Sequence, residues 1–221
     1  MIKIALPCIH FSVKEREIIN EHGFMSFPQF LDNHYVAKGK ACVEWLEKNL
    51  RKYGYGLVQF AVAPDYQYDE MKRLRNLYPE VNWIFPLHSV KEDFTDFEWI
   101  GMPYRKEYRD YSLKTFLELT KNKKRWLLGL WEAIDRNILY YFNGFDTTIP
   151  ETFSGKYGRL WLDFDKSIDV SNLNIPTIEI FEFNVISFKI AITKLFSNKG
   201  KIKALDDVIK ENEKYDLCRY T

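Results

Sequence analysis

Asp65, Asp146 and His88 each follow an apolar run of the kind that forms a buried strand. A carboxylate at a strand end can act as a nucleophile or accept hydrogen bonds from the N–H groups of a heterocycle. A histidine there can act as a general base or position a phosphate. Simpler interpretations stay open: a turn aspartate, a helix N-cap and a hydrogen-bonded structural histidine, in that order.

The runs that position these residues predict eight strands. They are Ile2–Leu6, Phe24–Phe27, Leu57–Ala63, Trp83–Leu87, Trp99–Met102, Trp126–Leu130, Tyr141–Phe145 and Leu160–Phe164. Several are almost continuously apolar, as expected of parallel strands covered on both faces.

Charged segments with helical periodicity separate many of the strands and predict βα units. The predicted helices are Lys38–Tyr53, Asp69–Tyr78, Ser112–Thr120 and Glu132–Tyr140. The interval Val90–Glu98 is too short for a full helix. The fold class predicted is therefore α/β, a (β/α)8 TIM-type barrel that is irregular at one trimmed crossover.

The chain of 221 residues is long enough for one barrel domain spanning 1–221, with a terminal appendage over about 171–221. In that appendage, Thr177–Phe183 alternates as a strand does, and Lys201–Tyr215 has the pattern of a charged helix. Working groups of such barrels lie at the carboxyl ends of the strands. We therefore expect Asp65, His88 and Asp146 at one rim.

The composition is globular, with 46% apolar and 29% charged residues and a net charge of +1. A near-zero net charge gives no global electrostatic attraction for nucleic acid. Two local basic clusters could contact nucleic acid or could simply be solvated. They are Lys121, Lys123, Lys124 and Arg125, and Lys194, Lys199, Lys201 and Lys203.

The cysteines and the remaining histidines indicate neither a disulfide framework nor a metal site, because their spacing fits no ligand motif. These residues are Cys8, Cys42, Cys218, His10, His22 and His34. No cofactor is predicted. The sequence lacks a signal peptide and an apolar run of membrane-spanning length, so we expect a cytoplasmic protein without a membrane partner.

Two neighbouring stretches resemble the catalytic barrel of the tRNA-guanine transglycosylases and their DNA-modifying, 7-deazaguanine-inserting relatives. The stretch 126–131, Trp-Leu-Leu-Gly-Leu-Trp, is similar to the family's "LMGVG" strand. The stretch 144–150, Gly-Phe-Asp-Thr-Thr-Ile-Pro, is similar to its "MFDCVxP" strand, whose aspartate is the family nucleophile. The resemblance extends over roughly 23–150 and implies that Asp146 is the nucleophile.

The resemblance also implies a set of substrate contacts. The stretch 62–65 resembles the strand end whose aspartate reads the deazaguanine edge, which gives that role to Asp65. The stretch 100–103 resembles the "IGGL" segment, so the backbone of Gly101 and Met102 would approach the base. Leu128 would stack against the ring, with Tyr104 as a second apolar wall.

Three departures separate this chain from the family pattern. The "DSGGFQ" loop aspartate, which acts in acid–base work, has no counterpart in the stretch 24–30. Leu87-His88 replaces a glutamine-glycine, which leaves His88 as the side chain beside the base. The cysteine-rich zinc motif of the tRNA enzymes is absent. The sequence thus resembles a shortened, divergent member.

Three functions remain open at this point. The first is a pentosyltransferase that replaces guanine by a 7-deazaguanine in tRNA, other RNA or DNA through a glycosyl-aspartate intermediate. The second is a non-catalytic barrel that acts as a nucleic-acid- or base-binding or assembly subunit, and an oligomer is compatible with either. The third is an unrelated hydrolase that uses Asp65, His88 and Asp146 around a sugar or phosphate.

Overall fold

The computed structural model of the protein describes residues 2–130, 136–164, 166–197, 207–208 and 210. The strands are β1 (Lys3–Ala5), β2 (Phe30–Leu31), β3 (Phe60–Val62), β4 (Asn82–Pro86), β5 (Trp99–Pro103), β6 (Lys124–Leu130), β7 (Gly144–Thr147), β8 (Arg159–Asp163) and β9 (Lys166–Asp169). The helices are α1 (Val13–Glu21), α2 (Tyr35–Lys38), α3 (Val43–Tyr53), α4 (Tyr68–Leu77), α5 (Leu113–Leu119), α6 (Ile149–Glu151) and α7 (Thr177–Ser197). Short 3-10 helices cover Lys106–Tyr108 and Arg136–Tyr141, and a π-helical turn covers Thr152–Lys156.

Seven parallel strands form a nearly closed, barrel-like sheet in the order β1-β7-β6-β5-β4-β3-β2. Met25 narrows the remaining gap, because it forms an isolated parallel bridge with Ala5. Its N–H donates to the Ile4 carbonyl at 2.9 Å, and its carbonyl accepts from the Leu6 N–H at 2.8 Å. The prediction of a barrel-like α/β fold is confirmed at this level.

The connection between β4 and β5 contains only turns, since none of its residues, all of which the structure describes, is helical. The trimmed crossover at Val90–Glu98 is therefore confirmed. The predicted helices over Asp69–Tyr78 and Ser112–Thr120 correspond to α4 and α5. Ser112 caps α5, because its Oγ accepts a hydrogen bond from the Thr115 N–H at 3.1 Å.

Two predicted barrel strands differ from the structure. The run Leu160–Phe164 forms β8, which pairs antiparallel with β9 in a separate two-stranded sheet and adds no eighth strand to the barrel. At Phe24–Phe27, where a strand was predicted, the structure has only the isolated bridge of Met25. The second barrel strand is instead β2, at Phe30–Leu31. Apolar runs alone do not distinguish a barrel strand from a hairpin strand, because both bury side chains.

The strand predicted at Thr177–Phe183 is wrong, because these residues begin the helix α7. The alternation of apolar and polar residues at the start of this segment does not continue along α7. Seven side chains that recur at helical spacing are buried on one side of α7: Ile180, Phe181, Asn184, Val185, Phe188, Ile192 and Leu195. Phe188 lies at the centre of this contact, with its ring 6.2 Å from Phe145 of β7 and 5.3 Å from Trp161 of β8.

Two further predicted helices lie partly outside the described residues. Of Glu132–Tyr140, the described part is the 3-10 helix that starts at Arg136. Of Lys201–Tyr215, the structure describes Asp207, Val208 and Lys210, which are helical. Within the described ranges, no helix is long and apolar enough to cross a membrane.

The inside of the barrel is filled by large side chains, because alternate residues of each strand point inward. The interior cluster consists of Ala5, Met25, Phe30, Phe60, Val62, Ile84, Trp99 and Trp126, with Leu128 packed against it. Trp126 is fully buried and stacks on Phe30, with ring centroids 5.3 Å apart and planes 21° apart. This layer closes the barrel below its carboxyl end.

Gly144 of β7 makes room for Trp126. A Cβ at this position would lie 2.5 Å from Trp126 Cε3, too close for any real contact. We expect Gly144→Ala to destabilise the protein by about 1–3 kcal/mol, because the indole must move within a packed interior. Gly155→Ala is the matched control, since its Cβ would meet nothing within 4 Å. Equal urea midpoints for the two variants would contradict this packing role.

Candidate active site

A cavity of about 400 Å³ opens above the interior layer, where the parallel strands end. Five of the predicted site residues line it: Asp65, His88, Tyr104, Leu128 and Asp146. They come from the ends of β3, β4, β5, β6 and β7. Chain segments that are distant in sequence meet here because the carboxyl ends of parallel strands share one rim.

Asp146 is buried, and both of its carboxylate oxygens accept hydrogen bonds. Trp126 Nε1–H donates to Oδ1 at 2.8 Å, and the Gly129 N–H donates to Oδ2 at 2.9 Å. Gly129 has φ +71° within an irregularity of β6, a backbone conformation that glycine adopts without strain. The interior tryptophan and the bulged strand therefore fix the orientation of this carboxyl group.

Asp32 also lines the cavity and was not among the predicted site residues. It follows β2 directly, and the in–out alternation that puts Phe30 inside the barrel turns Asp32 inward as well. The expectation that the acid–base aspartate has no counterpart rested on the stretch 24–30. In the structure, an aspartate does stand at the end of the second strand.

Burial and, second to it, the negative charge of Asp32 together raise the pKa of Asp146 to about 7. Burial is also the largest cause that raises the pKa of Asp32, and Asp65 adds to it. Like charges close together disfavour the doubly ionised state. For the pair Asp32 and Asp146, one carboxylate with one carboxylic acid is thus favoured over two carboxylates.

The raised pKa of Asp146 predicts how stability depends on pH. An unfolded aspartate titrates near 3.8 and the folded Asp146 near 7, so the folded state binds more protons between these values. Stability from this group is complete below about pH 4 and decreases as the pH rises to about 7. In urea unfolding from pH 4.5 to 7.5, the free energy of unfolding of Asp146→Asn should decrease less with rising pH than that of the wild type. Parallel curves for both proteins would refute the assignment.

Asp65 belongs to a buried network with Asn33 and His88. Asn33 Nδ2 donates to Asp65 Oδ2 at 2.5 Å and to the Ala63 carbonyl at 2.6 Å. Asn33 Oδ1 accepts from the Tyr35 N–H at 2.9 Å, which fixes the orientation of the amide. His88 Nε2 lies 2.5 Å from Asp65 Oδ1.

The partners of His88 define its protonation. Its Nδ1 lies 2.6 Å from the Tyr108 carbonyl, which can only accept, so Nδ1 carries a hydrogen. A second proton must then lie between Nε2 and Asp65. Burial alone would lower the pKa of His88, but its hydrogen bonds to Asp65 and Tyr108 raise it above the ordinary value. His88 and Asp65 therefore share this proton, and the raised pKa of His88 favours the imidazolium–carboxylate form of the pair.

The segment after β4 holds His88 in place. Glu92 Oε2 accepts from the His88 N–H at 2.6 Å and from the Ser89 N–H at 2.9 Å. Tyr111 donates its hydroxyl hydrogen to the Leu87 carbonyl at 2.5 Å. Since both ring nitrogens of His88 are engaged, the geometry favours a positioning role over that of a free general base.

Gly101 and Met102 are not among the residues that line the cavity. A Cβ on Gly101 would lie 2.6 Å from Leu128 Cδ1, so this glycine makes room for the leucine that does line it. Met102 is buried in the outer core between the barrel and its helices. Alternation along β5 explains the difference, because neighbouring residues point to opposite faces.

Two non-glycine residues with positive φ follow the acidic residues of the rim. His34, at φ 62°, comes two positions after Asp32, and Tyr66, at φ 58°, comes directly after Asp65. This conformation is uncommon for such side chains and is found preferentially at functional sites.

The first basic cluster lies at the opposite end of the barrel. Lys124 and Arg125 begin β6, whereas Leu128 at its far end lines the cavity. Lys124 pairs with Glu98 at 2.7 Å, and Arg125 donates to Thr120 and the Leu117 carbonyl. Of the second cluster only Lys194 is described. Arg105 is the arginine that lines the cavity, 3.7 Å from Glu107 Oε1.

The described residues contain no group of three or more histidine, cysteine, aspartate or glutamate side chains arranged to hold a metal ion. Cys8 and Cys42 are free thiols. Fold and site together define an α/β protein with a barrel-like parallel sheet and a carboxylate-lined cavity at its carboxyl end.

No protein family model matches the chain. The chain is similar to the uncharacterized protein ORF192 of Acidianus two-tailed virus, with 26% identity over 151 residues. The aligned region covers 64% of this chain and 75% of the viral protein.

Proposed function

We propose that the protein is a base-exchange enzyme that replaces guanine in RNA or DNA by a 7-deazaguanine. The observation that carries this proposal is the meeting of Asp146 and Asp32 in one cavity, where burial raises the pKa of both carboxyl groups. Glycosyl transfer with a covalent intermediate needs a carboxylate nucleophile and a second carboxyl group that handles protons.

The first half-reaction starts from the protonation state in which Asp32 is the acid and Asp146 the carboxylate, and an oxygen of Asp146 attacks the anomeric carbon of the nucleotide. The bond from that carbon to guanine breaks, and Asp32 in its acid form gives a proton to the departing base. The sugar is then joined to Asp146 as an ester. In the second half-reaction, Asp32 as carboxylate removes a proton from the incoming 7-deazaguanine, which displaces Asp146.

The other groups of the cavity suit a planar base with N–H donors. Asp65 presents a carboxylate whose position is fixed by Asn33 and His88, and its oxygens retain lone pairs for a further donor. Leu128 and Tyr104 supply apolar walls, and Arg105 supplies positive charge for a phosphate. The nucleotide must be single-stranded or flipped out, because a stacked base cannot enter.

The direct test is incorporation of labelled guanine or 7-deazaguanine into guanine-containing RNA and single-stranded DNA. We expect exchange with one polymer and release of unlabelled guanine in equal amount. The variant Asp32→Asn should slow exchange by about 10²–10⁴-fold, as loss of a general acid–base group does. Absence of exchange with both polymers and both bases would refute the proposal.

One observation favours a binding subunit as a second candidate. Both oxygens of Asp65 are already hydrogen-bonded within the protein, and the base-reading glutamine-glycine of the family is Leu87-His88 here. A barrel that binds the base without exchanging it would show a change in tryptophan fluorescence and a raised melting temperature with guanine, but no incorporation of label.

A further inference from the structure

Three tyrosines lie next to one another at the edge of the cavity, and we name Tyr35, Tyr66 and Tyr108 the tyrosine rim. The ring of Tyr35 lies 5.6 Å from that of Tyr66 and 6.1 Å from that of Tyr108, edge-on in both cases. Tyr35 and Tyr108 line the cavity, whereas Tyr66 is not among its lining residues. The tyrosine rim therefore extends from the cavity to the outer surface.

Tyr66 is packed against His88 on one side although it is 51% exposed. Its ring stacks on the buried His88 ring, with centroids 4.6 Å apart and planes 22° apart. Its backbone has φ 58°, a left-handed conformation that non-glycine residues seldom adopt. If Tyr66 served only to cover the His88–Asp65 pair, complete burial of its ring would stabilise the protein most. About half of the side chain is instead exposed to solvent.

We infer that the tyrosine rim binds the nucleobase next to the reacting nucleotide in a single-stranded nucleic acid, with Tyr66 as the stacking partner. This inference rests on the proposed function, since it assumes that one base occupies the cavity. Every base has an aromatic face, so a preordered ring beside the cavity can stack with the neighbour whatever its identity. Arg105, which lines the cavity, supplies the charge for the intervening phosphate.

The test compares guanosine with trinucleotides that have guanine flanked by 2-aminopurine, made as RNA and as DNA. Binding to the wild-type protein should quench the 2-aminopurine fluorescence, because the flanking base stacks. Tyr66→Leu, which keeps an apolar cover over His88, should weaken trinucleotide binding about 5-fold or more, the lower range for loss of one stacking contact. Its affinity for guanosine should be unchanged, and Tyr66→Phe should restore trinucleotide binding.

Tyr55→Leu is the control, because Tyr55 is 84% exposed and precedes β3, at the opposite end of the barrel. Equal weakening of guanosine and trinucleotide by Tyr66→Leu, or unquenched 2-aminopurine in the bound wild-type complex, would overturn the inference. If the wild type binds guanosine and exchanges the base, but Tyr66→Leu binds the trinucleotide as tightly as the wild type does, only the inference fails. Failure to exchange any base, with trinucleotide binding still dependent on Tyr66, would refute the proposed function and leave the stacking site standing.

Discussion

Asp146→Asn is expected to abolish the covalent protein–nucleic acid adduct when the enzyme is denatured during turnover on guanine-containing RNA or DNA. Asparagine has no ionisable oxygen to attack the sugar, so base exchange should fall on the order of 10⁴-fold or more. Mass spectrometry should locate the wild-type adduct on the peptide that contains Asp146. An adduct of equal yield in the variant would show that another residue is the nucleophile.

The variant carries a predictable cost in stability that must be measured beside activity. Trp126 Nε1–H and the Gly129 N–H donate to different oxygens of Asp146, and in asparagine one of these two positions becomes an NH2 group, which cannot accept. The unsatisfied donor costs about 1–3 kcal/mol. Asp96→Asn is the matched control, since Asp96 is exposed, pairs with Arg75 and precedes β5, away from the cavity.

Alternation along single strands accounts for most of what could be predicted about the site. Phe145 points outward and Asp146 inward. Asp65 is an exception, because its position has the parity of the outward-facing Ala61 and Ala63, and it enters the cavity only after the chain has left β3. The same rule applied to Phe30-Leu31-Asp32 identifies the second aspartate. It was missed because β2 is only two residues long, and the better apolar run lies at Phe24–Phe27.

Long-range contacts explain what could not be predicted. The pairs Asn33–Asp65 and Asp65–His88 join residues 32 and 23 positions apart, and no local pattern encodes such hydrogen bonds. The assignment of β8 to a hairpin and of Thr177–Phe183 to α7 likewise depends on packing around Phe188. Tertiary burial overrides local strand preference when one helix face can cover several aromatic rings at once.

The second large effect is expected at Asp65, where alanine and asparagine should behave differently. Asp65→Ala removes the partner of a buried imidazolium and should cost about 3–5 kcal/mol in the free energy of unfolding. In Asp65→Asn, the new Oδ1 can accept from Asn33, and the new amide can donate to a neutral His88 Nε2. Both hydrogen bonds of the network are then retained, so asparagine should cost much less than alanine.

The pH dependence distinguishes this account from simple loss of packing. Asp65 raises the pKa of His88. The contribution of the His88–Asp65 pair to stability is therefore complete below the ordinary histidine pKa of 6.5, and it is lost as the pH rises through the raised value. Asp65→Asn should abolish that loss, and NMR titration should show a lower pKa for His88 than in the wild type. An unchanged His88 titration in Asp65→Asn would mean that the Asp65 carboxylate does not stabilise the second proton of His88. The charged carboxylate of Asp65 would then be available to accept hydrogen bonds from a ligand.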